Sequence, residues 1–207
     1  MQVNKIVKFP VLTYSVSEKE VLVTLNYSFR TGKLPPNWKK IYPPLLDEAK
    51  ALAEPRGSYI IRRILAKSED GIHLEGTDFV LPGENMKKLL INSSMVAIFG
   101  VTVGKELEEN VAHFIESGKY TEGIVLDAIG SVLVDSVADT INDIIKREAQ
   151  MLGYKTTPRY SPGYGDLSVQ TQPYFLKEVD GDWLGIELSN TNLMIPQKSV
   201  TALLGIF

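Results

Sequence analysis

Met95-Val96-Ala97-Ile98-Phe99-Gly100-Val101-Thr102-Val103 is a nearly continuous apolar run, and Gly104 ends it. Such a run, rich in β-branched residues and lacking a polar face, suits a buried central strand. Residues 57–66 (Gly-Ser-Tyr-Ile-Ile-Arg-Arg-Ile-Leu-Ala) supply a second set of strand formers. Asp70-Gly71 is a turn signal, and residues 72–81 read as one or two short strands. Residues 198–206 read as a last strand. The expected fold class is α+β, with a largely antiparallel twisted sheet and packed helices.

The helices are read from spacing and punctuation. Residues 1–14 form an extended arm in which Val7, Phe9 and Val11 alternate. Ser15 or Ser17 caps a first helix that carries Glu18 and Glu20 in its first turn and runs toward Tyr27. Gly32 and Pro35-Pro36 end that region, and Asn37 caps a second helix. Pro43-Pro44 should interrupt it, because neither residue donates a backbone hydrogen and both crowd the preceding turn. Residues 45–53 resume it, and Pro55 closes it. Pro82 opens a small helix through Leu90, and a charged helix spans 106–116. After Gly118 comes the longest element, 121–152, with apolar residues at helical spacing and Gly153 at its end. The final third is dense in glycine and proline, so loops dominate it. A short strand at 154–157, a short helix at 168–178 and strands at 183–189 and 198–206 are expected there.

Composition narrows the function. The chain has 207 residues, 44% of them hydrophobic and 23% charged, as in an ordinary globular protein with a substantial core. No repeat and no linker-like composition divides it, so one domain over 1–207 is expected. Cysteine is absent, which removes disulfides, thiolate metal sites and a cysteine nucleophile. The net charge is -3 and no basic stripe with interleaved aromatics occurs, so nucleic acid is not an expected partner. The N-terminus lacks an apolar signal core, and no apolar run reaches membrane-spanning length. The expected location is the cytoplasm, with no membrane partner.

Two features carry candidate chemistry. Asp127, Ser131, Asp135 and Asp139 recur every fourth residue along the long helix and so share one side of it. A carboxylate in such a seam either faces water or meets a cation, whether an ammonium, a sulfonium or an arginine. The second feature is the loop Arg159-Tyr160-Ser161-Pro162-Gly163-Tyr164-Gly165-Asp166. Pro162 fixes one dihedral and Gly163 permits an unusual one, which makes the loop tight. Arg159 offers a planar fork that either pins the turn through a salt bridge or binds an anion. Tyr164 offers a ring for stacking, and the backbone near Ser161 can read the edge of a base. A third stretch, Met194-Ile195-Pro196-Gln197-Lys198-Ser199-Val200-Thr201, enters the last strand.

In this order the pieces resemble the activation domain of cobalamin-dependent methionine synthase. That family carries an Arg-x-x-x-Gly-Tyr loop, matched by Arg159, Gly163 and Tyr164 with Pro162 in register. It then carries Met-x-Pro-x-x-Ser-Val-Ser-Gly, matched by Met194, Pro196, Ser199 and Val200, with Thr201 and Ala202 in place of Ser and Gly. Val101-Thr102-Val103-Gly104 looks like the family's Val-Thr-Gly-Gly region, and Asp135 falls where the family's long helix carries an acidic residue facing the ligand. The resemblance covers about 97–207. Residues 96–207 are then the activation-domain-like core with its ligand loop, and 1–95 are helices and strands that complete the fold.

The resemblance implies S-adenosylmethionine as ligand, held by Asp135, Arg159, Ser161, Pro162, Gly163 and Tyr164. Arg159 would pair with its carboxylate, Asp135 with its ammonium, and Tyr164 would wall the site. It implies a partner: the cobalamin-binding module of a methionine synthase or another corrinoid methyltransferase, with a flavodoxin-type electron donor. The cobalamin would come from that partner, because the chain has no Asp-x-His-x-x-Gly motif. The chain is then expected to be a stand-alone reactivation domain that supports reductive methylation of cob(II)alamin, an accessory component and not a complete methyltransferase by itself. Two other readings stay open: a non-catalytic S-adenosylmethionine-binding module, and a structural module that docks on a corrinoid protein. The sequence departs from the family after Gly-Tyr, where Gly165-Asp166-Leu167-Ser168 replaces Pro-Ala-Cys-Pro. The sequence ends at Phe207, so a tyrosine that the family can place near the ligand beyond this strand is expected to be missing or replaced.

Overall fold

The structure is a computed structural model, and it describes residues 1–27, 34 and 36–207. Its spine is β5 (Met95–Thr102), whose eight residues are all buried. β5 lies between β2 (Arg56–Ser68) and β8 (Ser199–Ile206), antiparallel to both. β2 continues past β5 and pairs with β3 (Gly71–Leu74), which pairs with β4 (Val80–Leu81), again antiparallel. β1 (Val7–Phe9) also pairs with β2, antiparallel, on the edge away from β5. The order is β4-β3-β2-β5-β8, so β8 is an outer strand. A separate small pair joins β6 (Glu187–Leu188) to β7 (Met194–Ile195). Strands from 1–95 and from 96–207 therefore share one sheet.

The period of two sorts the central strands into two cores. Tyr59, Ile61, Ala97, Phe99, Ala202 and Leu204 face one side, where Leu133, Val137 and Ile141 of helix α5 (Tyr120–Met151) meet them. Ile60, Val96, Ile98 and Leu203 face the other. There α6 (Gln172–Val179) and α7 (Gly181–Leu184) bring Phe175, Val179 and Leu184. Gly100 of β5 makes the close approach possible, since a Cβ there would stand 2.8 Å from Val179 Cγ2. α3 (Glu84–Leu89) adds Met86 to the same side. A third cluster wraps the first half of α5 with α1 (Glu18–Thr24), α2 (Trp38–Leu52) and α4 (Glu106–Glu116).

The sequence expectations meet the structure unevenly. The long helix, the central strand and the charged helix stand where spacing places them. Pro43 and Pro44, however, do not interrupt α2. Both are exposed, and the face formed by Trp38, Tyr42, Leu45 and Ala49 is buried against its neighbours. Burial of that face outweighs the lost backbone hydrogen bonds. Ser17 and Asn37 occupy N-cap positions, but neither side chain makes a cap hydrogen bond. Residues 154–157 are no strand; Thr156 and Tyr160 form isolated bridges to Ile206 and Leu203. Residues 183–184, expected to open a strand over 183–189, are helical instead, because Asp180 accepts the Trp183 backbone hydrogen and starts a turn. Gly32 and Pro35 lie outside the described residues. Among the described residues, no helix is long and apolar enough to cross a membrane.

Candidate functional site

The outer edge of β8 organises the site. The backbone of Tyr160 donates to and accepts from Leu203, each at 2.8 Å, which lays the 156–160 segment along that edge. The chain then turns back. The Gly163 N–H donates to the Leu167 carbonyl at 2.7 Å, and the Tyr160 hydroxyl donates to the Tyr164 carbonyl at 3.1 Å. Gly163 adopts φ 93°, a value that a side chain would strain. Asp166 caps from outside by accepting the Asn85 backbone hydrogen at 3.0 Å. Arg159 and Tyr164 are thus held at the two ends of a tight loop, and Tyr164 leaves 69% of its surface exposed.

Between this loop, α5 and the start of α6 lies a cleft of about 370 Å³. That volume is of the size that holds a small organic ligand. Asp135, Arg159, Ser161, Pro162 and Tyr164 line it; Gly163 does not, and serves the loop's shape. Met194 and the Ser199–Val200–Thr201 stretch complete the wall, and Tyr160 and Gln172 join it. The motif segments at 159–164 and 194–201, distant in sequence, therefore meet in one place. Gln172 had no signal in the sequence reading. It is buried and donates to the Thr201 hydroxyl at 2.7 Å, tying α6 to β8. Ser199 likewise donates to Thr102 at 3.0 Å across to β5. The Thr201 hydroxyl is thus engaged by α6, and the Ser199 hydroxyl by the neighbouring strand.

The charges are unequal in their ties. Arg159 Nη1 donates to Asp139 Oδ1 at 2.5 Å. Asp127 pairs with Lys198 at 2.7 Å, and Lys198 also donates to Ser131 at 2.9 Å. The stripe on α5 therefore meets two cations, one at each end, and Lys198 went unread in the sequence. Asp135 stands between them with no hydrogen bond or ion pair among the described residues. Although Asp135 is exposed, the protein on one side of it partly desolvates its carboxyl and pushes it above the ordinary value; Arg159 pulls it down, and Asp139 and Glu20 push it up again. An untied carboxylate and a half-engaged guanidinium thus face one cleft beside two tyrosine rings. Such a cleft can hold a ligand that is zwitterionic at one end and flat at the other.

No protein-family model matches the chain, and no curated protein matches it. Among solved structures, the MetH reactivation domain bound to AdoHcy is similar, with a TM-score of 0.66. The likeness covers 98% of this chain and 78% of that one at 14% identity. The expected α+β fold, a largely antiparallel twisted sheet with packed helices, is the fold observed, and it matches the fold of that domain.

Proposed function

We propose that the cleft binds S-adenosylmethionine and that the chain acts as a reactivation domain for a corrinoid methyltransferase. One observation carries the reading. Asp135 and Arg159, of opposite charge, line the same cleft as the tyrosine-bearing loop. They do so in a fold like that of a domain bound to AdoHcy. Arg159 keeps donors beyond the one given to Asp139, and these suit the ligand carboxylate. Asp135, untied, suits the ammonium. The Tyr160 to Tyr164 loop suits the adenosine, with Ser161 and Pro162 against the base.

The ligand's sulfonium supplies a methyl group for transfer to a nucleophile: the methyl–sulfur bond breaks and S-adenosylhomocysteine leaves as the neutral thioether. On this reading the nucleophile is reduced cobalamin, carried by a methionine synthase module or another corrinoid methyltransferase. The electron that converts cob(II)alamin comes from a flavodoxin-type donor, and the setting is cytoplasmic. The chain contributes position: it holds the amino-acid end by two charges and leaves the methyl group presented. Residues 1–95 complete the sheet that bears the site, so the chain works as one domain.

Titration calorimetry with S-adenosylmethionine tests the first step. Binding is expected, and silence at millimolar ligand would leave only the structural docking reading. Adding the protein, a reductant and S-adenosylmethionine to a cob(II)alamin-inactivated corrinoid methyltransferase tests the second step. Restored turnover is expected. Binding without restoration across several corrinoid partners would favour the non-catalytic S-adenosylmethionine-binding reading.

A further inference from the structure

Arg159 lies between two clefts. One is the candidate ligand cleft; the other is bounded by Ser15, Ser17, Glu20 and Asp139, with Arg159 and Asp135 as shared wall. Asp139 lines the second alone. It grips the guanidinium from outside the ligand cleft, through Nη1 at 2.5 Å. Asp135 sits one helical turn before it, near enough to interact with Arg159 electrostatically. This arrangement poses a problem for any zwitterionic ligand. The two charges meant for its two ends are within each other's field. If the guanidinium swung onto Asp135, each would neutralise the other, and neither end of the ligand would find a free partner.

We propose that Asp139 is a positioning residue that draws Arg159 outward and keeps it from collapsing onto Asp135. The amino-acid end of the ligand then meets two separate charges. An arginine fork has five donors, so one bond to Asp139 leaves others for a carboxylate. Asp139 is itself exposed, with 67% of its side chain in solvent, so its replacement disturbs no core. The inference rests on the reading of the cleft as a S-adenosylmethionine site.

The test uses the intact protein and two ligands. S-adenosylmethionine has the amino-acid end; 5′-methylthioadenosine keeps the adenosine and sulfur but lacks that end. Asp139→Asn should weaken S-adenosylmethionine binding by about tenfold or more, the scale of a charged hydrogen bond. Methylthioadenosine binding should stay unchanged, and Asp139→Glu should restore most of the lost affinity. In an Asp135→Asn background the same Asp139→Asn change should lose much less, because no carboxylate remains for Arg159 to collapse onto. Equal loss for both ligands, unchanged S-adenosylmethionine affinity, or tighter binding would each overturn the inference. Failure of the wild-type protein to bind S-adenosylmethionine would overturn the reading of the cleft itself, before any variant is compared.

Discussion

At the scale of single residues, Asp135 separates structure from chemistry. Its carboxyl, though exposed, is raised from the ordinary 3.8, first by partial desolvation, so the folded protein binds its proton somewhat more tightly than the unfolded chain does. The sign follows. This group disfavours folding at neutral pH, and the penalty fades as the pH falls and the carboxyl takes its proton in both states. Asp135→Asn should therefore be more stable than wild type at neutral pH. The gap should close on acidification, as followed by denaturant midpoints across pH. Ligand affinity runs the other way. The ammonium prefers ionised Asp135, so affinity should be full above the raised pKa and fall as the pH drops through it. Asp135→Asn should bind more weakly at neutral pH and lose this dependence; an unchanged pH profile would remove Asp135 from the site. Asp135 was legible in the sequence from its four-residue spacing. That Asp139, and not a ligand, would hold Arg159 was not legible, because spacing gives a helix face and no neighbour across space.

At the scale of elements, α2 and α5 show what propensity misses. Pro43 and Pro44 stand exposed inside an unbroken helix. Pro43→Ala restores a backbone donor without removing a packed side chain. It should raise stability by about 1–3 kcal/mol, less than the full helix penalty because proline also restricts the unfolded chain. A lower denaturant midpoint for this variant would mean that the proline ring itself packs usefully. In α5, Gly130 is buried, and a Cβ there would stand 2.6 Å from Leu107 Cδ2 of α4 and 3.3 Å from Lys198 Cε. Gly130→Leu should cost about 1–3 kcal/mol by overpacking that crossing, despite the gain in helix propensity. Thermal melts would show it, and a neutral result would mean that α4 is free to slide. Period and punctuation made the long helix, the central strand and the charged helix legible. They failed at 154–157 and 183–184, where a sheet edge and one aspartate cap decide the local form.

At the scale of the whole molecule, the α6 layer is locked onto the sheet by polar contacts as well as by its core. Arg62 of β2 donates to Glu178 of α6 at 2.7 Å, with only 13% and 6% of the side chains exposed. Ser58 of β2 donates to the Val179 carbonyl beside it. Removing one partner strands the other's charge, so Glu178→Ala should lower unfolding stability by about 3–5 kcal/mol. A loss under about 1 kcal/mol would place the pair with ordinary surface bridges. This lock matters to the site because α6 carries Gln172, which ties to Thr201 at the cleft wall. The class of fold was legible because β5 is a nearly continuous apolar run, as a strand buried on both faces requires, and β2 is rich in strand formers. The cleft as a place was not, since it forms only when β8, α5, α6 and the 159–164 loop converge from distant parts of the chain.

The most direct test of the account is a calorimetric titration of the intact protein and of Arg159→Ala with S-adenosylmethionine at neutral pH. The account predicts saturable binding by the wild type and a loss of about 2–3 kcal/mol in the variant, the scale of a charged hydrogen bond. Equal affinity in the two proteins, or no binding by the wild type at millimolar ligand, would contradict it.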